Sequence, residues 1–226
     1  MAARLTIRRF GAVNGLGLAT LMRREASRGL SDYNYQLLGP AVTALLYLAV
    51  FRLALHNDEM GQILINFVAP GVIIFSACEK AYEAAAGSFI FDKHERIIGD
   101  VLMAPLSPLE RLIGYVSANC LGGIAVGATV AVTSLLFADL SAAHPWAIVT
   151  FGFLGMVLHS LVGLLVGIWA EKWDQFAAIQ SFLLLPLSFL SGTFYSTTRL
   201  PELVGVNLVL GAWAYLWFRS GYKLKP

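Results

Sequence analysis

Charge is what this 226-residue sequence has least of: 13% of its residues are Asp, Glu, Lys or Arg, against roughly 25% in a soluble domain. In their place, 58% of residues are hydrophobic and the mean hydropathy is +0.69. A soluble core cannot absorb that excess. The formal net charge of +2 offers no argument for a nucleic-acid surface. Cysteine is scarce as well: Cys78 and Cys120 both fall within apolar runs, where the clustered ligands of a zinc site or the framework of a disulfide fold are absent. They read as small buried hydrophobes. There is no G-x-x-x-x-G-K-[ST] phosphate loop and no glycine-rich strand-to-helix turn for a dinucleotide. The four histidines, His56, His94, His144 and His159, are scattered, so an enzyme with clustered His, Asp or Glu at a membrane face has no candidate centre. No alternating pattern recurs as a membrane barrel requires.

What is present is a series of long apolar blocks. A helix that crosses the hydrocarbon needs about 20 apolar residues, and six runs qualify: residues 37–55, 63–91, 112–137, 146–170, 176–195 and the shorter 203–218. The fold class is therefore all-α and polytopic, with six transmembrane helices in a single transmembrane domain, residues 1–226. Trp146, Trp169, Trp173, Trp213 and Trp217 lie near the run ends, where interfacial anchoring accounts for them. The Lys and Arg distribution sets the orientation. Arg4, Arg8, Arg9, Arg23, Arg24 and Arg28 precede the first run. Lys93, Arg96 and Arg111 follow the second, Lys172 the fourth, and Arg219, Lys223 and Lys225 the last. In a six-span chain these segments share one side; of the 16 basic residues only Arg52, Lys80 and Arg199 fall elsewhere. Positive residues stay inside, so both termini are expected in the cytoplasm.

Residues 1–32 form an arm in which Leu5, Phe10, Val13, Leu16 and Leu21 recur at roughly helical spacing among arginines. Arg8-Arg9-Phe10 resembles a twin-arginine signal, but no small-residue cleavage site follows. An amphipathic helix on the cytoplasmic membrane surface is the expectation. Within the second run, Glu79 and Glu83 are four apart and share a helix face, with Lys80 placed to pair with Glu83. Two readings stand: a charged turn where a long helix leaves the bilayer, or a polar patch lining a substrate path. His159 is the one histidine within a span; it reads as a hydrogen-bonded packing residue before it reads as a proton relay. Gly123 with Gly127, and Gly163 with Gly167, make small faces for close helix contact. Pro186, Ser191-Gly192 and Leu200-Pro201 interrupt the backbone after the fifth run, which predicts an outer hairpin over residues 192–205.

Three segments resemble one family, the permease subunits of type 2 ABC exporters. DVLMAPLSP, from Asp100 to Pro108, resembles the family's acidic-Leu-Leu-x-x-Pro-Leu-Ser signature after the second span. LSFLSGTFYSTTRLP, from Leu187 to Pro201, resembles its Leu-Ser-Gly-x-Phe-(Tyr/Phe)…Leu-Pro signature after the fifth. The tail Gly221-Tyr222-Lys223-Leu224-Lys225 is similar to a basic ending common there. The resemblance covers nearly the whole chain. One departure is local: the family usually has about forty residues between the Leu-Pro and the last span, whereas ELVG alone follows Pro201 here, so the outer hairpin is expected to be shortened.

The resemblance implies a division of labour. The permease forms the path, and a separate cytoplasmic ATPase binds ATP and magnesium, so this chain itself binds no cofactor or metal and is not an enzyme. Two permeases, as a homodimer in the bacterial inner membrane, work with two ATPases. A coupling helix in the loop 92–108 would dock on the ATPase, through Glu95, Arg96, Asp100, Leu102, Pro105, Leu106 and Ser107. Asp92, Lys93 and His94 would contact the ATPase or water, and Arg23, Arg24 and Glu25 of the arm are further candidates for ATPase contact. Glu79, Lys80 and Glu83 are candidate path-lining residues; Ser191, Gly192, Phe194, Leu200 and Pro201 belong to the outer hairpin. The competing transport readings are a haem-export-type permease and an ion-driven secondary transporter. The latter predicts inverted repeats with charged, broken helices in matching positions, and only one charged span is present.

Overall fold

The computed structural model describes residues 14–31, 33–54, 59–140 and 145–184, with Ala212 and Leu216 as single positions. Helix α1 is Gly15–Ser31, α2 Tyr33–Ala54, α3 Glu59–His94, α4 Ile98–Met103, α5 Pro108–Ser134, α6 Pro145–Trp169 and α7 Trp173–Ile179, which runs into a π-helical turn, Gln180–Leu184. No strand occurs among the described residues. Four helices are long and apolar enough to cross a membrane, over Tyr35–Leu53, Gly61–His94, Pro108–Ser134 and Pro145–Trp169. They coincide with the first four apolar runs. The fifth run opens in α7 and the π-helical turn. Its remainder, the sixth run and the hairpin residues Ser191, Gly192, Phe194, Leu200 and Pro201 lie outside the described residues, as does the arm before Asn14.

Helix α3 is the axis of the bundle. It packs most extensively against α6 and α5, and glycine sets both contacts. A Cβ on Gly163 would come within 2.5 Å of the Tyr82 carbonyl oxygen, and one on Gly167 within 2.9 Å of the Ala86 carbonyl oxygen. On the other flank, a Cβ on Gly123 would meet the Ala77 carbonyl oxygen at 2.6 Å, and one on Gly127 the Ala77 Cβ at 3.0 Å. Both predicted small faces therefore point at α3. Because lipid tails are as apolar as leucine, close backbone approach is the main gain left for helices packing in a bilayer. Asn119 adds a buried hydrogen bond to Ser160 Oγ at 3.1 Å, joining α5 to α6.

Helix α1 lies across the start of α5. Leu18 and Leu21 seat over Gly114, whose added Cβ would meet Leu21 Cδ2 at 2.8 Å. Leu21 joins a core with Phe89, Leu112, Tyr115, Leu164 and Ile168, and Phe89 and Tyr115 meet ring to ring at 4.8 Å. That core fills the end of the bundle from which α4 is suspended.

Candidate functional site

The connection from α3 to α5 is built from short-range rules. α3 ends in a Schellman-type cap: the Arg96 amide donates to the Lys93 carbonyl at 3.2 Å and the Ile97 amide to the Asp92 carbonyl at 3.0 Å. That cap needs a left-handed residue, usually glycine, and here Arg96 fills it at φ 59°. Ile98 and Leu102, four apart on α4, pack on the core, and Leu106 joins them. Asp100 and Met103 face away, Met103 being 77% exposed. Ala104 then turns extended at ψ 136°. Ser107 caps α5 in a full capping box with Glu110, and Pro108 takes the first helical position. Arg111 Nη2 reaches back to the carbonyls of Leu102 at 2.7 Å and Ala104 at 3.1 Å. This satisfies groups a six-residue helix leaves open at its C-terminus. The Pro-Leu-Ser-Pro segment is thus a fixed corner.

The residues expected to couple separate into two sets. Glu95, Arg96, Asp100 and Pro105 are exposed. Leu102 and Leu106 turn into the core, and Ser107 serves as the α5 cap. Met103, which composition alone gave no reason to single out, is the large apolar side chain that α4 presents outward. Two charges expected to face a partner or water turn inward instead. Asp92 is fully buried. Lys93 Nζ donates to the carbonyls of Gly167 at 2.9 Å, Ile168 at 2.5 Å and Ala170 at 3.0 Å, where a cation meets the negative end of the α6 dipole.

The partners of Asp92 come from α1. Arg24 Nη2 lies 2.7 Å and Arg28 Nη2 2.9 Å from Asp92 Oδ1. Glu25 sits 3.1 Å from Arg24 and 3.8 Å from Arg28, and accepts from Ser88 Oγ at 2.5 Å. Arg28 also donates to Ser88 Oγ and covers the Phe91 ring at 5.0 Å. Two guanidinium groups and two carboxylates leave the cluster formally neutral, as buried charge requires. Burial raises the Glu25 pKa, against the opposing pull of Ser88 and the arginines. Burial disfavours the Arg24 cation, but Asp92 together with Glu25 and Tyr115 outweighs it, and the Arg24 pKa is raised. Of the three arm residues expected to reach an ATPase, only Arg23 is exposed; Arg24 is half-buried and Glu25 is buried. At its N-terminus α1 is capped by Asn14, whose Oδ1 accepts from Gly17 at 3.0 Å. Asn14 also reaches the corner: its Nδ2 donates to the Pro105 carbonyl at 3.1 Å and its amide to Glu110 Oε1 at 2.5 Å.

A second polar group lies deeper. Gln180, in the π-helical turn, donates to Glu79 at 3.1 Å and to Glu83 at 2.8 Å. Lys80, expected to pair with Glu83, hydrogen-bonds Gln36 of α2. Glu79, Tyr82, Gln180, Phe75, Leu184 and His159 line one small cleft, and His159 Nδ1 meets the Gly155 carbonyl at 2.9 Å on its own helix. The register of α3 against α6 bears on the two readings of this charged turn. Tyr82 faces Gly163 of α6, and α6 carries no charged residue from Pro145 to Trp169. His159 and Gly163 stand roughly 9–15 Å inside its end at 1.5 Å per residue. The charged turn is therefore level with an uncharged, membrane-length helix.

Comparison with known proteins bears on what this arrangement is for. The profile of the family described as ABC-2 type transporter matches residues 17–221. The chain is 33% identical over 190 residues, 82% of its own length and 74% of the relative's, to the inner membrane transport permease YadH of Escherichia coli, and equally to that of Shigella flexneri. It is 29% identical over 147 residues to nodulation protein J of Bradyrhizobium diazoefficiens, covering 63% of this chain and 55% of that one. No solved structure matches.

Proposed function

This chain belongs to the ABC-2 type transporter family, and from that premise we propose that it is the transmembrane subunit of an ATP-driven exporter in the bacterial inner membrane, gripped at α4 by a separate ATPase. The observation that carries this reading is the α3–α4–α5 connection. A six-residue helix is held against the core by Ile98 and Leu102 while Met103, Asp100, Glu95 and Arg96 point away from it. A load on α4 passes to α3 through its C-terminal cap and to α5 through the Ser107–Glu110 box and Arg111. Such stiff attachment is what a lever between ATP hydrolysis and the bundle requires. An arginine where glycine is easier fits a side chain in use at a surface.

In this proposal the partner holds ATP and magnesium, and this chain binds neither and catalyses nothing. Two copies and two ATPases form the working unit. Six spans place both termini in the cytoplasm, with α1 at the membrane surface. ATP closes the ATPase dimer, the α4 helices move with it, and the bundles re-pack between inward- and outward-open forms. The group formed by Glu79, Glu83, Lys80, Gln180 and His159 lines the path, because charge at membrane depth is retained where it faces a cavity or a partner.

The test is capture of an ABC ATPase by the tagged, membrane-inserted chain. Met103→Asp and Pro105→Asp alter exposed positions outside the core and should lower ATPase capture about tenfold, the scale of losing one central contact. Undiminished capture by both variants would refute the docking role of α4.

A further inference from the structure

We propose that α1 is a two-point strut that sets where α4 stands relative to the bundle, with Asp92 and Asn14 as its positioning residues. This rests on α4 being the coupling element. It goes further by assigning the arm a mechanical task distinct from ATPase contact or membrane anchoring.

The two ends of the α3–α5 connection are fastened to the two ends of one helix. At the C-terminal half of α1, Arg24 and Arg28 converge on Asp92 Oδ1 at 2.7 and 2.9 Å. Asp92 supplies the carbonyl that closes the α3 cap through Ile97, so it stands directly before the turn into α4. At the N-terminus of α1, Asn14 holds the Pro105 carbonyl and Glu110. Gly17 approaches Leu106 so closely that a Cβ there would meet Leu106 Cδ2 at 2.9 Å. Between the clamps, Leu18 and Leu21 bed α1 on Gly114 of α5. The span from Asp92 to Glu110 is therefore bridged twice by side chains of a rigid helix, over and above its own covalent ends. Lys93 ties the same turn to α6. Displacing α4 requires α1 to move with it or one clamp to open. The clamps differ in kind: the first is a charge cluster around the buried Asp92, screened less by solvent salt than a surface pair, and the second a set of hydrogen bonds at a helix cap.

The experiment uses the full chain in lipid nanodiscs, with spin labels at the exposed positions 23 and 103 and, separately, with its captured ATPase. The strut predicts a narrow 23–103 distance distribution in the parent, broadened by Asp92→Asn and by Asn14→Ala and narrowed again in Asp92→Glu relative to Asp92→Asn. In the complex, both variants should retain the ATPase at the parental ratio while permease-dependent ATP hydrolysis falls roughly fivefold or more, the scale of a coupling free energy. If Asp92→Asn fails to insert, Asn14→Ala, which removes one cap, decides the matter alone. Distributions that stay narrow in the variants, or hydrolysis that stays at the parental rate with the ATPase bound, would overturn the strut. Loss of the ATPase itself would also overturn it, since the clamps would then be making the docking surface. Should the parent capture no ATPase, the coupling reading fails on its own, and the distance measurement still decides whether α1 positions α4.

Discussion

Arg96 joins a left-handed backbone to an exposed side chain. Its backbone closes the α3 cap in the left-handed region at φ 59°, where an L side chain costs roughly 1 kcal/mol more than glycine, and its side chain stands exposed beside α4. Arg96→Gly should therefore stabilise the isolated chain by about 1 kcal/mol in thermal unfolding while weakening ATPase capture. If capture is unchanged, the arginine has no surface task. The sequence marked Arg96 as a charge in the right loop but not as a cap, because the left-handed turn depends on where α3 stops. Asp92 and Lys93 were unreadable in a different way. Adjacent residues at a helix end point about 100° apart, and what each meets belongs to α1 and α6, far off in sequence. The expectation set both against the ATPase or water; the fold gives Asp92 two guanidinium groups and Lys93 three carbonyls.

At the scale of elements, the first four spans were legible from run length, and their observed limits differ from the apolar runs by at most four residues at either end. The glycine pairs were legible as contact faces; that both face α3 was not, since spacing names a face without naming its partner. The consequence is specific. Gly163→Ala places a methyl against backbone atoms of Tyr82 and should destabilise the bundle by about 1–3 kcal/mol. Gly122→Ala, on α5 beside Gly123 and with nothing within 4 Å, should be neutral or stabilising by up to about 1 kcal/mol. Equal effects in detergent unfolding would contradict glycine-mediated α3–α6 packing. The depth of Glu79 and Glu83 also needed the neighbour. A helix of 36 residues is long enough, at roughly 54 Å, to carry a charged turn outside the bilayer, and run length could not show that this turn packs level with uncharged α6.

For the whole molecule, composition announced a membrane protein, and the order of motifs announced its family, which the match over residues 17–221 bears out. The three-dimensional arrangement adds a mechanical layout: α3 as axis, α4 suspended from one end of it, and α1 joined to both sides of α4. The central claim is that this suspended helix meets a separate ATPase. It is tested most directly by a photo-reactive amino acid in place of Met103, with the same group in place of Leu121 on the exposed face of α5 as reference. In intact cells, illumination should join position 103, and not position 121, to a cytoplasmic protein bearing a nucleotide-binding phosphate loop. The yield should change when ATP is depleted. Transport that continues while position 103 captures no such protein would contradict the account.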